Sequence, residues 1–193
     1  MPWSFALPHA IFESPLLSTL TPIATGSAVG YLVNRHGTKP TYNTLKQPPL
    51  APPAWLFPPA WAILYGLMGY AAHHASTSSL ALVSPSVSGI SLGSGVGSDL
   101  LKTQTLYTVQ LLLNHLWMPL FFGLGKPALA AVDILALGGT VAALMREWWD
   151  SDRTAFWLFV PYAGWLGFAT YLNFGVGVLN GWRVKGNKKG RRE

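Results

Sequence analysis

Long uncharged apolar stretches alternate with short polar ones along this chain. Residues 14–34 run 21 positions without Asp, Glu, Lys or Arg, and residues 52–75 are uncharged, with only His73 and His74 near their end. Residues 103–125 give 23 uncharged positions, 127–145 give 19 with one acid, Asp133, and 154–182 give 29. A helix that crosses the hydrocarbon layer needs about 20 mainly apolar residues. A water-soluble bundle would keep a polar face on each helix, and these stretches do not. The pattern predicts an all-α integral membrane protein, a bundle of five transmembrane helices spanning about 14–34, 52–75, 103–125, 127–145 and 154–182.

The connections carry their own signals. Residues 35–51 form a basic loop that runs into Pro48, Pro49, Pro52 and Pro53. Residues 76–102 are rich in Ser and Gly and read as a flexible loop. Gly89, Gly93 and Gly97 match a G-x-x-x-G spacing there, but the composition favours linker over dimer face. Gly26 and Gly30 repeat that spacing in the first span and offer a face for a homodimer. The third connection is short, 123–127, and the fourth, 146–153, mixes both signs of charge. The first 14 residues lack a basic region and carry Glu13, so they read as an amphipathic lead-in rather than a signal peptide. One transmembrane domain, 1–182, is thus followed by a basic tail, 183–193.

Composition sharpens this picture. The chain is 50% apolar and 10% charged, against roughly 25% charged in an ordinary soluble domain. That excludes a soluble enzyme domain by its apolar excess and a disordered chain by its low charge. The absence of Cys excludes disulfide, thiolate-metal and Cys-nucleophile chemistry. A net charge of +6 points to nucleic acid only until it is located: six of the 13 Lys and Arg fall within 183–192. The lipid membrane is the partner this distribution indicates, and nucleic acid is not. With five spans, ten basic residues share the side of the first loop, third loop and tail, against three (Lys102, Arg146, Arg153) on the other. The bias places the tail in the cytosol.

Tryptophan refines the interior. Trp3, Trp55, Trp148, Trp149, Trp157 and Trp182 lie where interfacial anchors are expected. Trp61, Trp117 and Trp165 lie near the middles of three spans. Each has polar or aromatic company at helical spacing: Tyr65 follows Trp61 by four, Asn114 precedes Trp117 by three, and Tyr162 precedes Trp165 by three. Ala169, Leu172 and Asn173 continue the Trp165 face. Such polar groups at depth either bond helix to helix or line a cavity. Three flat faces with a few polar points suit a large planar ligand. Asp133 is expected to pair with a nearby hydroxyl or backbone group. His115 reads as a helix-packing residue, with haem ligation as the alternative, since the 100° step from Asn114 keeps the two from sharing one face squarely. No metal-ligand pair, carboxylate dyad or Ser-His-Asp arrangement emerges.

The run from Pro52 to Gly69, PPAWLFPPAWAILYGLMG, resembles the second-helix signature of the translocator protein family, also called tryptophan-rich sensory proteins or peripheral benzodiazepine receptors. Three further blocks agree, in the family's order: QLLLNHLWMPLFFG from Gln110, AVD from Ala131 and PYAGWLGFATYLN from Pro161. The resemblance covers roughly 16–182 and implies five transmembrane helices around a cavity that opens toward the first loop, with Pro48 and Pro49 in the lid. It implies porphyrin, protoporphyrin or haem, as ligand, with sterols or other flat apolar molecules as alternatives. Carried over by motif, the pocket holds Trp61, Asn114, Trp117, Trp165, Ala169 and Leu172, and spacing adds Tyr65 and Tyr162. The chain departs from the family in three places. Phe174 stands where its sterol motif has Tyr, and the next basic residue is Arg183. Leu129 replaces an aromatic found in animal members, and the second connection is longer than usual.

Three functions follow from this resemblance. The first is a receptor or transport protein for tetrapyrroles. The second is light-dependent breakdown of porphyrin, in which Trp61 and Trp165 are the catalytic pair and the porphyrin supplies the excited state. The third is a sterol-organising scaffold without ligand chemistry. The expected location is the mitochondrial outer membrane, with the endoplasmic reticulum as alternative.

Overall fold

A hydroxyl and a proline set the start of the first long helix. Ser14 is its N-cap, its Oγ accepting from the Leu17 N–H at 3.3 Å, and Pro15 fills the first helical position, where no N–H is needed. The structure is a computed structural model that describes residues 5–35, 42–83 and 95–183. Within these it holds five long helices: α1 (Pro15–Asn34), α2 (Phe57–Val83), α3 (Gly95–Met118), α4 (Pro127–Ser151) and α5 (Arg153–Leu179). A short helix, His9–Glu13, precedes α1, and a 3-10 turn, Ala54–Leu56, precedes α2. No strand occurs among the described residues.

The helices overrun the predicted spans. α2 starts five residues later than expected, beyond the proline cluster, and continues to Val83. α3 begins at Gly95. The Ser/Gly-rich segment read as a loop over 76–102 is therefore helical at both ends. Its low complexity hid hydroxyls that bond back along the helix, such as Thr77 to the His73 carbonyl and Ser79 to the Ala75 carbonyl. Gly89 and Gly93 lie outside the described residues, and Gly97 sits in the first turn of α3. The fourth connection shrinks from 146–153 to Asp152 alone. That residue caps α5 by accepting from the Ala155 N–H at 2.9 Å and meets His74 Nδ1 at 2.6 Å, tying the link to α2.

Among the described residues, three helices are long and apolar enough to cross a membrane: α1, α4 and α5. α2 and α3 have the length, but His73, His74 and a Ser/Thr run dilute the one. Asp99, Lys102, Gln104, Gln110 and Asn114 dilute the other.

Around the bundle the order is α1, α2, α5, α4, α3, with α3 closing more thinly on α1 and α2. The packed core fills the half nearest Asp152, where Met68, Leu144, Phe159 and Tyr162 are fully buried. Trp148 belongs to this core at 2% exposure, not to an interface as expected: it meets Phe159 edge-to-face at 5.0 Å, held inward because α4 continues past it. Trp182 also turns inward, packing on Gly177 and Phe174 where Gly181 takes a left-handed conformation. Trp55, Trp149 and Trp157 remain exposed, and Trp3 lies outside the described residues.

The lead-in is clasped to the bundle. Phe12 is buried edge-on to Tyr107, the Leu7 N–H donates to Thr108 Oγ1 at 3.0 Å, and His73 Nδ1 donates to the Phe12 carbonyl at 2.7 Å. Asp133 is buried, with neither carboxylate oxygen partnered among the described residues, so the expected pairing is absent. Of the Gly26/Gly30 pair, Gly26 packs on α2, where a Cβ would run into the Tyr65 ring, and Gly30 borders a cavity.

Candidate functional site

The half of the bundle opposite the packed core is hollow. Where α3 meets Pro119, the ring removes a donor and the helix widens into a π-turn, Pro119–Gly123, closed by the Leu124 N–H on the Pro119 carbonyl at 2.8 Å. This turn swings Phe121 and Phe122 inward, and Gly125, at φ 63°, reverses the chain into α4. Between this end and the first loop lies a cavity of about 440 Å³. All five helices wall it, and residues 42–47 of the loop contribute Tyr42, Leu45 and Gln47.

Seven of the eight residues singled out from sequence line this cavity: Trp61, Tyr65, Asn114, Trp117, Trp165, Ala169 and Leu172. Tyr162 does not. It is fully buried behind the wall, where its hydroxyl accepts from Asn114 Nδ2 at 3.1 Å while Asn114 Oδ1 accepts from the Tyr65 hydroxyl at 2.7 Å. One amide thus joins α2, α3 and α5 and supports the cavity wall. Both readings of mid-depth polar groups hold for Asn114, which bonds helix to helix and also faces the cavity. Tyr162 serves the first role alone.

The indoles form two clusters. Trp61 lies 6.3 Å from Trp165, edge-to-face, and 5.1 Å from the Tyr65 ring. Trp117 stacks on Phe121 at 5.1 Å, and its Nε1 donates to Asn173 Oδ1 at 3.0 Å. Asn173, 1% exposed, also donates from Nδ2 to the Pro127 carbonyl at 3.3 Å and so fixes Trp117 against α4 and α5. The walls are therefore broad aromatic faces held by buried amides.

His115 also borders the cavity, although it adjoins Asn114. The cavity wraps the edge of α3, and the imidazole stacks on Tyr65 at 5.8 Å and 11°. Its Nδ1 meets the Leu111 carbonyl, which can only accept, so Nδ1 carries the proton. Nε2 is buried without a partner among the described residues. The packing role expected of His115 is present in this stack.

Sequence reasoning missed the α1 wall, Ile23, Gly26, Tyr31 and Asn34, although Asn34 follows Tyr31 by three, the spacing that marked Asn114 and Trp117. It also missed Phe57 and Phe121, which helical spacing could have found four residues from Trp61 and Trp117 respectively.

Among the described residues, no Asp, Glu, Lys or Arg lines the cavity. Cations stand at its loop end instead: Arg35 follows Asn34, Lys46 lies between Leu45 and Gln47, and Lys126 precedes α4, all three exposed. The Tyr42 hydroxyl donates to the Pro52 carbonyl at 2.7 Å, and burial pushes its pKa up. The site can enclose a flat apolar body and offer it a few hydrogen bonds, with Arg35, Lys46 and Lys126 exposed at the same end of the bundle.

Comparison with known proteins shows relatives along most of the chain. Residues 18–179 match the model of the TspO/MBR family. The chain is 40% identical over 164 residues to a translocator protein homolog of Schizosaccharomyces pombe, covering 84% of this chain and 90% of that one. It is 36% identical over 157 residues to the tryptophan-rich protein TspO of Chlorobaculum tepidum, covering 79% and 89%. It is also 36% identical over 143 residues to the translocator protein of Homo sapiens, covering 74% and 76%.

Proposed function

The chain belongs to the TspO/MBR family of membrane proteins, and from that premise we propose that its aromatic cavity binds a tetrapyrrole of the protoporphyrin class within a five-span transmembrane bundle. The observation that carries this reading is the distribution of charge about the cavity: flat aromatic walls, no ionic group among the described lining residues, and Arg35, Lys46 and Lys126 exposed at the same end of the bundle. Protoporphyrin has the complementary form, an apolar ring plane with two carboxylates on one edge. The ring enters between Trp117 and the Trp61–Trp165 corner. The carboxylates stay at the headgroup level beside the rim cations, where they keep their water. A cavity of this volume lies within the usual range for small-molecule sites.

The rim, with the first loop and the tail, lies on the cytosolic side, as the basic residues favour. The membrane is proposed to be the mitochondrial outer membrane, with the endoplasmic reticulum as alternative. Sterol is a weaker candidate ligand, because Phe174 packs on Trp182 and offers no hydroxyl. Binding is tested by titrating the purified protein in nanodiscs with protoporphyrin and following the Soret band and tryptophan quenching. Saturable one-to-one binding supports the reading, and non-saturable partitioning equal to empty nanodiscs refutes it.

A second reading, light-dependent porphyrin breakdown, draws on one observation: Trp61 and Trp165 are in ring contact and both face the cavity. An excited ring held there has two oxidisable indoles at hand. The scaffold reading without a ligand draws no support from a cavity of this size.

A further inference from the structure

The first loop is fastened along α5. The Lys46 N–H donates to Asn180 Oδ1 at 3.0 Å and Asn180 Nδ2 donates to the Lys46 carbonyl at 2.9 Å. The Tyr171 hydroxyl donates to the Pro49 carbonyl at 2.8 Å. A Cβ on Gly175 would sit 2.7 Å from Pro48, so that proline rests directly on the helix backbone. Opening the cavity by lifting this loop would break all of these contacts together.

α1 and α2 approach most closely at two glycines, Gly69 and Gly26. Ser18 Oγ donates to the Gly69 carbonyl at 2.7 Å, and a Cβ on Gly69 would run into the Ser18 carbonyl. Two turns further along α1, a Cβ on Gly26 would run into the Tyr65 ring. One turn further, a Cβ on Gly30 would meet nothing within 4 Å, although Gly30 borders the cavity. Beyond Gly26, residues on both helices border the cavity and are exposed, Ser27, Tyr31 and Asn34 on α1 and Pro58 and Ala62 on α2, while Val33 is buried.

We infer that the cavity opens sideways to the bilayer through the cleft between α1 and α2, flanked by Gly30 and Ala62, and that this cleft is the ligand's route in and out. The inference rests on the reading of the cavity as a ligand site. Its physical logic is that an apolar ring concentrates in the hydrocarbon before it meets the protein. Such a ring slides in edgewise while its carboxylates remain at the headgroup level, so no charge is desolvated and the loop stays latched.

The chain has no Cys, so Ala169→Cys places a single thiol on the inner cavity wall. In nanodiscs, its alkylation by an apolar, bilayer-dissolved maleimide reports entry and needs no porphyrin. A failure of tetrapyrrole binding is therefore distinguishable from a failure of the cleft. Adding Gly30→Trp should slow alkylation about tenfold, as Ala62→Trp should on the other lip if the first variant does not fold. A charged, water-soluble methanethiosulfonate should react with Ala169→Cys at the same rate with or without the Trp. Unlatching the loop with Asn180→Ala should change the maleimide rate by less than about twofold. Maleimide rates insensitive to both Trp variants, equal slowing of both reagents, or a large acceleration by Asn180→Ala would each overturn the lateral route.

Discussion

The Trp117 indole N–H donates to Asn173 Oδ1 across 3.0 Å, so an aromatic wall on α3 is positioned by a buried amide on α5. The same amide reaches the Pro127 carbonyl at the start of α4. Removing it should therefore disturb shape and stability together. Asn173→Leu leaves the indole N–H without its acceptor, at a cost of about 1–3 kcal/mol. A lower thermal midpoint and weaker protoporphyrin binding are expected. Trp117→Phe should weaken binding less than Asn173→Leu if position matters more than ring size, a comparison that paired titrations provide.

The Tyr65–Asn114–Tyr162 bridge predicts a different balance. Asn114→Ala strips two buried hydroxyls of their partner and should lower stability by about 1–3 kcal/mol for each hydroxyl left unpaired. It should nevertheless weaken protoporphyrin binding less than Trp117→Ala, because the ring loses stacking area only in the second case. Denaturation midpoints and titrations of the two variants check the two halves separately.

Much of this site was legible in the sequence because its polar points recur at helical spacing beside aromatics. Trp61 with Tyr65, and Asn114 with Trp117, marked the inward faces of α2 and α3. Tyr162 carried the same signal as Trp165 yet lies behind the wall, since spacing fixes a face but not depth within it. The helix ends were less legible. Ser and Thr in 76–83 resemble a linker by composition, whereas in the helix several of their hydroxyls bond to carbonyls one turn back. Trp148 looked interfacial because charges follow it, but α4 continues and turns it into the core.

Glycine substitutions separate contact from open space along α1 and α2. Gly69→Ala would push its Cβ into the Ser18 carbonyl and Thr19 Cα, backbone atoms that move only if the helices part. It should destabilise by roughly 1–3 kcal/mol, in the manner of an overpacked core. Gly30→Ala, which meets nothing within 4 Å, should be neutral or slightly stabilising through helix propensity. Thermal unfolding of both variants in one detergent makes the comparison.

Sidedness can be tested without a ligand. Protease added to intact cells or organelles should spare a tag placed at residues 84–94. In intact organelles it should remove one placed after Glu193. The reverse protection pattern would contradict the orientation drawn from the basic residues.

The photochemical reading turns on oxidation potential rather than shape. Trp61→Phe and Trp165→Phe keep most of the stacking surface but replace an easily oxidised indole. If the pair takes part, porphyrin bound to either variant at matched occupancy should lose the light-dependent spectral change seen with the unaltered chain. Identical bleaching in all three leaves the tryptophans as cavity walls.

The central claim, that the aromatic cavity is the tetrapyrrole site, is tested most directly by titrating four proteins with protoporphyrin in nanodiscs. These are the unaltered chain, Trp117→Ala, Trp165→Ala and, as control, Trp157→Ala, whose ring is 61% exposed and outside the cavity. The account predicts dissociation constants near micromolar for the unaltered chain and the control, and about tenfold weaker, 1.4 kcal/mol, for each cavity variant. Equal affinity in all four proteins would place the ligand elsewhere and contradict it.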